Sequence, residues 1–166
     1  TPVTIIATDY AGNQTVVTDR VFVDRDAPKA LIQGVENYTI TSKPVQVSYL
    51  AEEENVIQTV RANILKEDIE GKKEETEITE WKTKSRNESG DTKKESVQTL
   101  AEDGLYKLRM NVADMAGNVS HAERQLIIDK ENPVIAHVDE LDGKYLKKFS
   151  WNYSIEESIK DFTNYT

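Results

Sequence analysis

The stretch Asp-Met-Ala-Gly-Asn at residues 114–118 lies between two runs in which apolar and polar residues alternate. Alternation with a period of two is typical of β-strands with one buried face, so the stretch is predicted to be a hairpin turn. Gly117 and Asn118 tolerate the positive φ angles that tight turns need. The side chain of Asp114 is suited to accept hydrogen bonds from the backbone amides that follow it. The stretch therefore predicts an antiparallel pair of strands.

The same turn occurs earlier as Asp-Tyr-Ala-Gly-Asn at residues 9–13, so that positions 9 and 114 have a spacing of 105. A second match keeps this spacing, because Val-Phe-Val-Asp-Arg-Asp-Ala-Pro at 21–28 corresponds to Leu-Ile-Ile-Asp-Lys-Glu-Asn-Pro at 126–133. A weaker third match aligns residues 45–49 with 149–153, at a spacing of 104. Matches in one register indicate an internal repeat.

The repeat spacing predicts three parts along the chain. Residues 1–26 are the C-terminal strands of a truncated repeat, residues 27–131 are a complete domain, and residues 132–166 are the N-terminal strands of a further truncated repeat. About 100 residues is the size of one β-sandwich domain. The sequence opens with strand-like alternation and not with a signal peptide, so we expect it to begin inside a domain.

The complete repeat is predicted to be all-β. Strand signals lie near residues 30–32, 45–49, 56–65, 77–81, 96–100, 108–112 and 119–129. Val56, Val60, Ala62 and Ile64 are expected to share one buried face. No helical period extends over a useful length, so the pattern favours an immunoglobulin-like antiparallel β-sandwich in tandem repeats.

Residues 66–95 are dense in charges of both signs. Such a segment is typical of a solvated face or a mobile loop, here with an edge strand at 77–81 and a loop at 86–91. The alternative is a dedicated binding loop around Trp81.

Glu102, Gly104 and Tyr106 have the spacing of the tyrosine corner of immunoglobulin-like sandwiches, which is an architectural motif. Together with the Asp-x-Ala-Gly-Asn turn and the strand that ends in Ile-Asp and a proline, this motif resembles the bacterial Ig-like domain repeats of secreted and surface proteins. The resemblance implies tandem β-sandwich modules in adhesins, stalks and multidomain surface enzymes. Structural roles follow for two groups of residues: Gly104 and Tyr106 at the corner, and Asp9, Gly12, Asn13, Asp114, Gly117 and Asn118 at the turns.

Carboxylates recur where one repeat passes into the next, at Asp24 and Asp26 and again at Asp129 and Glu131. The resemblance to calcium-binding adhesin arrays implies a calcium site at each of these positions. Calcium takes six to eight oxygen ligands, and the sequence offers at most half of them. The alternative is that these residues are solvated linker charges.

Composition excludes several classes of function. The chain has a net charge of -9, which repels nucleic acid, and no run of apolar residues is long enough to cross a membrane. It has no cysteine, so thiol catalysis, zinc–thiolate sites and disulfides are excluded. No nucleophile elbow, phosphate loop or zinc signature occurs, so we expect no enzyme and no cofactor apart from calcium.

These observations predict a non-catalytic structural spacer module of a bacterial extracellular or cell-surface protein. The alternatives are an adhesin module that binds a glycan or a host protein, and an accessory domain of a secreted hydrolase. The expected partners are neighbouring repeats, with strand complementation between the truncated ends of chains as a further possibility. Phe149, Trp151 and Tyr153 share a strand face and are predicted to be core residues, the alternative being a sugar-stacking platform.

Overall fold

The fold is known from a computed structural model. The structure describes residues 1–68, 70–82, 91–136 and 154–156, together with residues 143, 145, 147 and 148. Every regular element in this part of the chain is a β-strand. The first hairpin consists of β1 (Pro2–Thr8) and β2 (Gln14–Arg20), and the last consists of β11 (Val134–Ala136) and β12 (Ser154–Glu156).

The central region contains eight strands, listed here in chain order: β3 (Lys29–Gln33), β4 (Thr39–Thr41), β5 (Val45–Glu52), β6 (Ile57–Glu67), β7 (Lys73–Lys82), β8 (Lys93–Leu100), β9 (Gly104–Asp114) and β10 (Val119–Ile128). Within the described residues, no helix is long and apolar enough to cross a membrane.

The eight central strands form two sheets. One has the strand order β3-β5-β8 and the other β4-β10-β9-β6-β7. Neighbouring strands are antiparallel except for β4 and β10, which run parallel. The predicted all-β immunoglobulin-like sandwich is thus confirmed. The first and last hairpins each form a two-stranded sheet of their own.

The core lies between the inward faces of the two sheets. Alternate residues of β5 and β9 are buried, as expected for strands that have one solvent-exposed face. The cluster of buried residues includes Ile32, Val47 and Tyr49 from one sheet with Leu108, Met110, Val112, Leu126 and Ile128 from the other. Burial raises the pKa of the Tyr49 hydroxyl, which is therefore neutral at physiological pH.

Two details of the strands differ from the sequence prediction. β4 was not predicted, because a three-residue strand is defined by its parallel partner β10 and not by its own pattern. At the start of β6, the residue that joins the core is Ile57 and not the predicted Val56. The pairing of β6 with β9 shifts between Ile57 and Thr59, so that the alternation changes face at that point.

The charged segment 66–95 is largely built into the sheets. β6 extends to Glu67, and the predicted edge strand is longer than expected, since β7 runs from Lys73 to Lys82 at the edge of the five-stranded sheet. Arg61 on β6 pairs with Glu80 on β7 at 2.6 Å. Charges along an edge strand discourage pairing with other chains. Most of the predicted loop at 86–91 lies outside the described residues, as do Phe149, Trp151 and Tyr153.

Candidate interdomain joint

The turn between β9 and β10 is built around the carboxylate of Asp114. Its Oδ1 atom accepts hydrogen bonds from the backbone amides of Ala116 at 2.8 Å and Gly117 at 2.7 Å. Asn118 donates twice, from its backbone amide to Oδ1 at 2.9 Å and from Nδ2 to Oδ2 at 2.8 Å. Gly117 has a φ of 96°, which L residues with a side chain rarely adopt. The turn is therefore a closed network of charge-assisted hydrogen bonds.

The turn between β1 and β2 repeats this arrangement. Asp9 Oδ1 accepts from the backbone amides of Ala11 and Asn13, both at 2.9 Å, and Asn13 Nδ2 donates to Oδ2 at 2.8 Å. The hydrogen bonds from the side chain and backbone of Asn13 lower the pKa of Asp9. Gly12 takes a φ of 87°. The two turns thus have the same local chemistry.

The two hairpins also share one pairing register. Thr8 lies opposite Gln14 in the first hairpin, and Ala113 lies opposite Val119 in the second. The paired positions of the second hairpin are those of the first plus 105, and this holds for every residue pair of β1 and β2. Residues 1–20 therefore have the local structure of β9 and β10.

The two hairpins differ in their surroundings. Asp114 is only 1% exposed, whereas Asp9 is exposed. Met110, on the inner face of β9, is 1% exposed, and its counterpart Ile5 in β1 is 65% exposed. The apolar face that is covered in the second hairpin is open in the first.

The incoming linker, residues 24–28, contacts the Asp114 turn. Asn118 Nδ2 donates to the carbonyl oxygen of Asp26 at 3.1 Å and lies 3.4 Å from that of Asp24. Asn55, in the loop before β6, donates from Nδ2 to Asp24 Oδ2 at 2.7 Å. Two asparagine side chains of the sandwich thus bind both the backbone and the side chain of the linker.

The outgoing linker, residues 129–133, contacts the opposite end of the same sandwich. The amide of Asp129 donates to the carbonyl oxygen of Thr41 at 2.9 Å, which extends the parallel pairing of β4 with β10 by one bond. Lys130 Nζ donates to the carbonyl oxygen of Ala101. Both linkers are therefore attached to the domain between them.

The tyrosine corner lies beside this outgoing linker. Tyr106 donates from its hydroxyl to the carbonyl oxygen of Glu102 at 2.7 Å, and burial raises its pKa. Gly104 has a φ of 148°, and a Cβ atom there would lie 2.8 Å from the carbonyl oxygen of Glu67. Glycine is therefore required at this position for two reasons, backbone conformation and space.

Lys66 connects the corner to the adjacent strand. Its ammonium lies 5.9 Å from the centre of the Tyr106 ring and pairs with Glu102. The hydrogen bond and charge of Lys66 lower the pKa of Glu102. Burial alone would lower the pKa of Lys66, but the hydrogen bond and charge of Glu102 raise it overall. The ionised pair therefore stabilises this end of the sandwich at neutral pH.

Two of the four carboxylates predicted to bind calcium, those of Asp24 and Asp129, accept hydrogen bonds from the linkers themselves. Asp24 Oδ1 accepts from the amide of Asp26 at 3.1 Å, and Asp129 Oδ1 accepts from the amide of Glu131 at 3.0 Å. The second oxygen of Asp24 accepts from Asn55. In the described part of the chain, no three His, Asp or Glu side chains are grouped to hold a metal. Calcium at these positions stays a prediction.

The last hairpin has the register of β3 and β5. Ile135 lies opposite Ile155, and Ala30 lies opposite Ala51. The first strand is shifted by 105 residues and the second by 104, which are the spacings of the sequence repeat. Residues 134–136 and 154–156 thus pair as the opening strands of the central sandwich do.

In a comparison with known protein families, residues 57–130 match the family described as bacterial Ig-like domain. The matched segment begins at the first residue of β6 and ends in the outgoing linker. It includes the tyrosine corner and the Asp114 turn. No curated protein matches the chain.

Sequence reasoning did not find two contacts of the central sandwich. Asn55 lies in a loop with no recognisable motif, although it binds the incoming linker 31 residues earlier. Met115, the variable residue of the turn, donates from its backbone to the carbonyl oxygen of Val56 at 3.2 Å. Neither contact has a local signal, because both depend on which loops meet at one end of the sandwich.

Proposed function

We propose that this chain is a non-catalytic spacer segment of a bacterial extracellular or cell-surface protein, in which Ig-like modules follow one another through short, fixed joints. The observation that carries the proposal is the attachment of the incoming linker by Asn118 and Asn55. A linker bound through backbone and side chain has few orientations. The length of a row of such modules therefore increases in proportion to the number of modules.

The repeated turn supports the same function. Asp9 and Asn13 form the same side-chain hydrogen bond as Asp114 and Asn118, so the turn that contacts a linker occurs twice in the chain. Pro28 and Pro133 end the two linkers, and each proline restricts its own φ and the preceding residue. The joints thus combine a fixed backbone with a specific attachment point.

The carboxylates of the turns have structural partners. Asp9 and Asp114 each accept several hydrogen bonds from their own turn, an arrangement that orients them toward the backbone. This use of acidic groups favours architecture over acid–base chemistry, in which a carboxyl group must face a substrate. The alternatives remain a glycan- or host-protein-binding adhesin module and an accessory domain of a secreted hydrolase.

A distance measurement between spin labels tests the fixed joint. The chain has no cysteine, so two introduced cysteines are the only labelling sites. Thr18 on β2 and Thr99 on β8 are exposed and lie on opposite sides of the incoming linker. Double electron–electron resonance on Thr18→Cys with Thr99→Cys should give one narrow distance distribution.

Loss of the linker contacts should broaden that distribution. The test variant combines Asn55→Ala with Asn118→Ala. Its matched control is Asn63→Ala, which removes an asparagine that bonds to Glu75 within the domain. A broad distribution in the parent, or the same narrow distribution in the double variant, would contradict the fixed-joint spacer.

A further inference from the structure

The central sandwich receives a pull along the chain at its two opposite ends. The incoming linker leads into β3 at the end that carries the Asp114 turn, and the outgoing linker follows β10 at the other end. The polypeptide continues beyond both linkers, so a pull on the neighbouring segments acts on β3 and β10. The bonding of these strands therefore decides how the sandwich resists tension.

The chain passes from one sheet to the other between β3 and β4. β3 is an edge strand of the three-stranded sheet, and β4 is an edge strand of the five-stranded sheet. Gly34 begins the crossing with a φ of 90°, and a Cβ atom there would overlap the carbonyl oxygen of Gln46. A pull that enters at β3 thus passes through this crossing to β4.

β4 and β10 are a parallel pair, in which residues 39–41 lie opposite residues 126–128. Tension pulls β4 from its N-terminal side and β10 from its C-terminal side. Because the strands are parallel, these two pulls act in opposite directions along the strand axis. The hydrogen bonds between the strands then share the load and must break together, whereas a pull at one end of a pair breaks its bonds one at a time.

Three hydrogen bonds extend this pair beyond its paired residues. Before β4, the amide of Tyr38 donates to the carbonyl oxygen of Gln125 at 2.7 Å, and the amide of Gln125 donates to Asn37 Oδ1 at 2.8 Å. After β4, the amide of Asp129 donates to the carbonyl oxygen of Thr41 at 2.9 Å. Tyr38 has a φ of 63°, which is uncommon for a residue with a side chain. The bonded length thus exceeds that of the three-residue strand itself.

We propose that the central sandwich bears tension, and that residues 37–41 and 125–129 form a shear clamp that keeps it folded while the chain is pulled. Asn37 adds a side-chain bond to the clamp. This function goes beyond that of a spacer, because a spacer needs length and direction, whereas a clamp resists unfolding under load. It depends on bonds within the sandwich and not on how the linkers orient the modules.

Single-molecule force spectroscopy in two pulling geometries tests the clamp. The chain has no cysteine, so introduced cysteines at exposed positions are the only attachment sites for handles. Arg25→Cys with Glu131→Cys pulls end to end and shears β4 against β10. Lys43→Cys with Glu131→Cys pulls at one end of the pair and peels β4 away. At one pulling speed, the unfolding force should be at least about two-fold higher end to end, because the bonds then share the load.

Asn37→Ala tests the side-chain bond of the clamp, with Asn63→Ala as its matched control. Asn63 also bonds across neighbouring strands, but it joins β6 to β7, and neither strand is connected to a linker. Under a constant end-to-end force, Asn37→Ala should unfold about five-fold faster than the parent, as expected when the barrier loses one hydrogen bond. Asn63→Ala should unfold at the rate of the parent. Urea unfolding measures what each variant loses without load, and the difference between the variants should appear under force.

Equal unfolding forces in the two geometries would overturn the clamp. So would an Asn37→Ala variant that unfolds under force no faster than Asn63→Ala. A higher end-to-end force, together with faster unfolding of Asn37→Ala alone, supports it. The label distances that test the spacer function are measured without load, so the failure of one proposal is distinguishable from the failure of the other.

Discussion

The turn at Asp114 is buried and the turn at Asp9 is exposed, although the two turns have the same kind of hydrogen bonds, so a substitution in each compares these bonds in two environments. The variant Asp114→Ala removes the acceptor for the amides of Ala116, Gly117 and Asn118, and for Asn118 Nδ2. Because Asp114 is 1% exposed, water has little access to replace it. The donors then stay unsatisfied, which is more costly than the loss of an exposed hydrogen bond.

The magnitude follows from the number and kind of bonds. A hydrogen bond to a charged group contributes about 1.5–3 kcal/mol, and bonds that share one oxygen are not additive. We expect Asp114→Ala to lower the free energy of unfolding by about 3 kcal/mol. For a domain of this size that corresponds to a fall in melting temperature of roughly 10–25 °C.

The assay is urea unfolding followed by circular dichroism, with Asp9→Ala as the matched control. Asp9 accepts the equivalent bonds but is exposed, so its removal should leave the main unfolding transition unchanged. If Asp114→Ala fails to fold, Asp114→Asn keeps the Oδ1 acceptor and should give a smaller loss. A loss below about 1 kcal/mol for Asp114→Ala would refute the reasoning from buried donors.

Three further outcomes are expected. Tyr106→Phe removes the 2.7 Å bond to Glu102 and should lower the free energy of unfolding by about 1 kcal/mol in urea, whereas Tyr10→Phe, at an exposed turn position, should have no effect. Glu102 and Glu123 have folded-state pKa values below the ordinary value, because Lys66 bonds to Glu102, and because bonds from Lys107 and Arg109 outweigh the burial of Glu123. The stabilisation that these two carboxylates contribute is thus present at neutral pH and is lost as the pH falls below about 4.3 through their lower folded-state pKa values. The urea midpoint should therefore drop on acidification, and it should drop less in Glu123→Gln. A midpoint that rises on acidification would argue against this reasoning. If calcium binds at the two linkers, millimolar calcium should raise the melting temperature by several degrees relative to EDTA. Asp24→Ala or Asp129→Ala should abolish that rise. Identical melting temperatures with calcium and with EDTA would count against calcium binding.

Much of the fold could be predicted because its signals are local. Turn chemistry at Asp114, Gly117 and Asn118 and the alternation on either side of it identify a hairpin without reference to the rest of the chain. The edge strand within the charged segment was also predictable, since charges suit an edge. The bulge that puts Ile57 in the core in place of Val56 was not, because it arises where β6 adapts to β9.

The sequence by itself determined the 105-residue spacing of the two turns, the hairpins on either side of them and the hydrogen bonds within each turn, since these depend on neighbouring residues. Only the tertiary structure decided that the same turn is buried at Asp114 and exposed at Asp9, because burial depends on which sheet lies across from it. It also decided that Asn118 and Asn55 meet the incoming linker, 92 and 31 residues away in sequence. Such contacts are set by how the two sheets stack and which loops they bring to one end, and no local pattern encodes that.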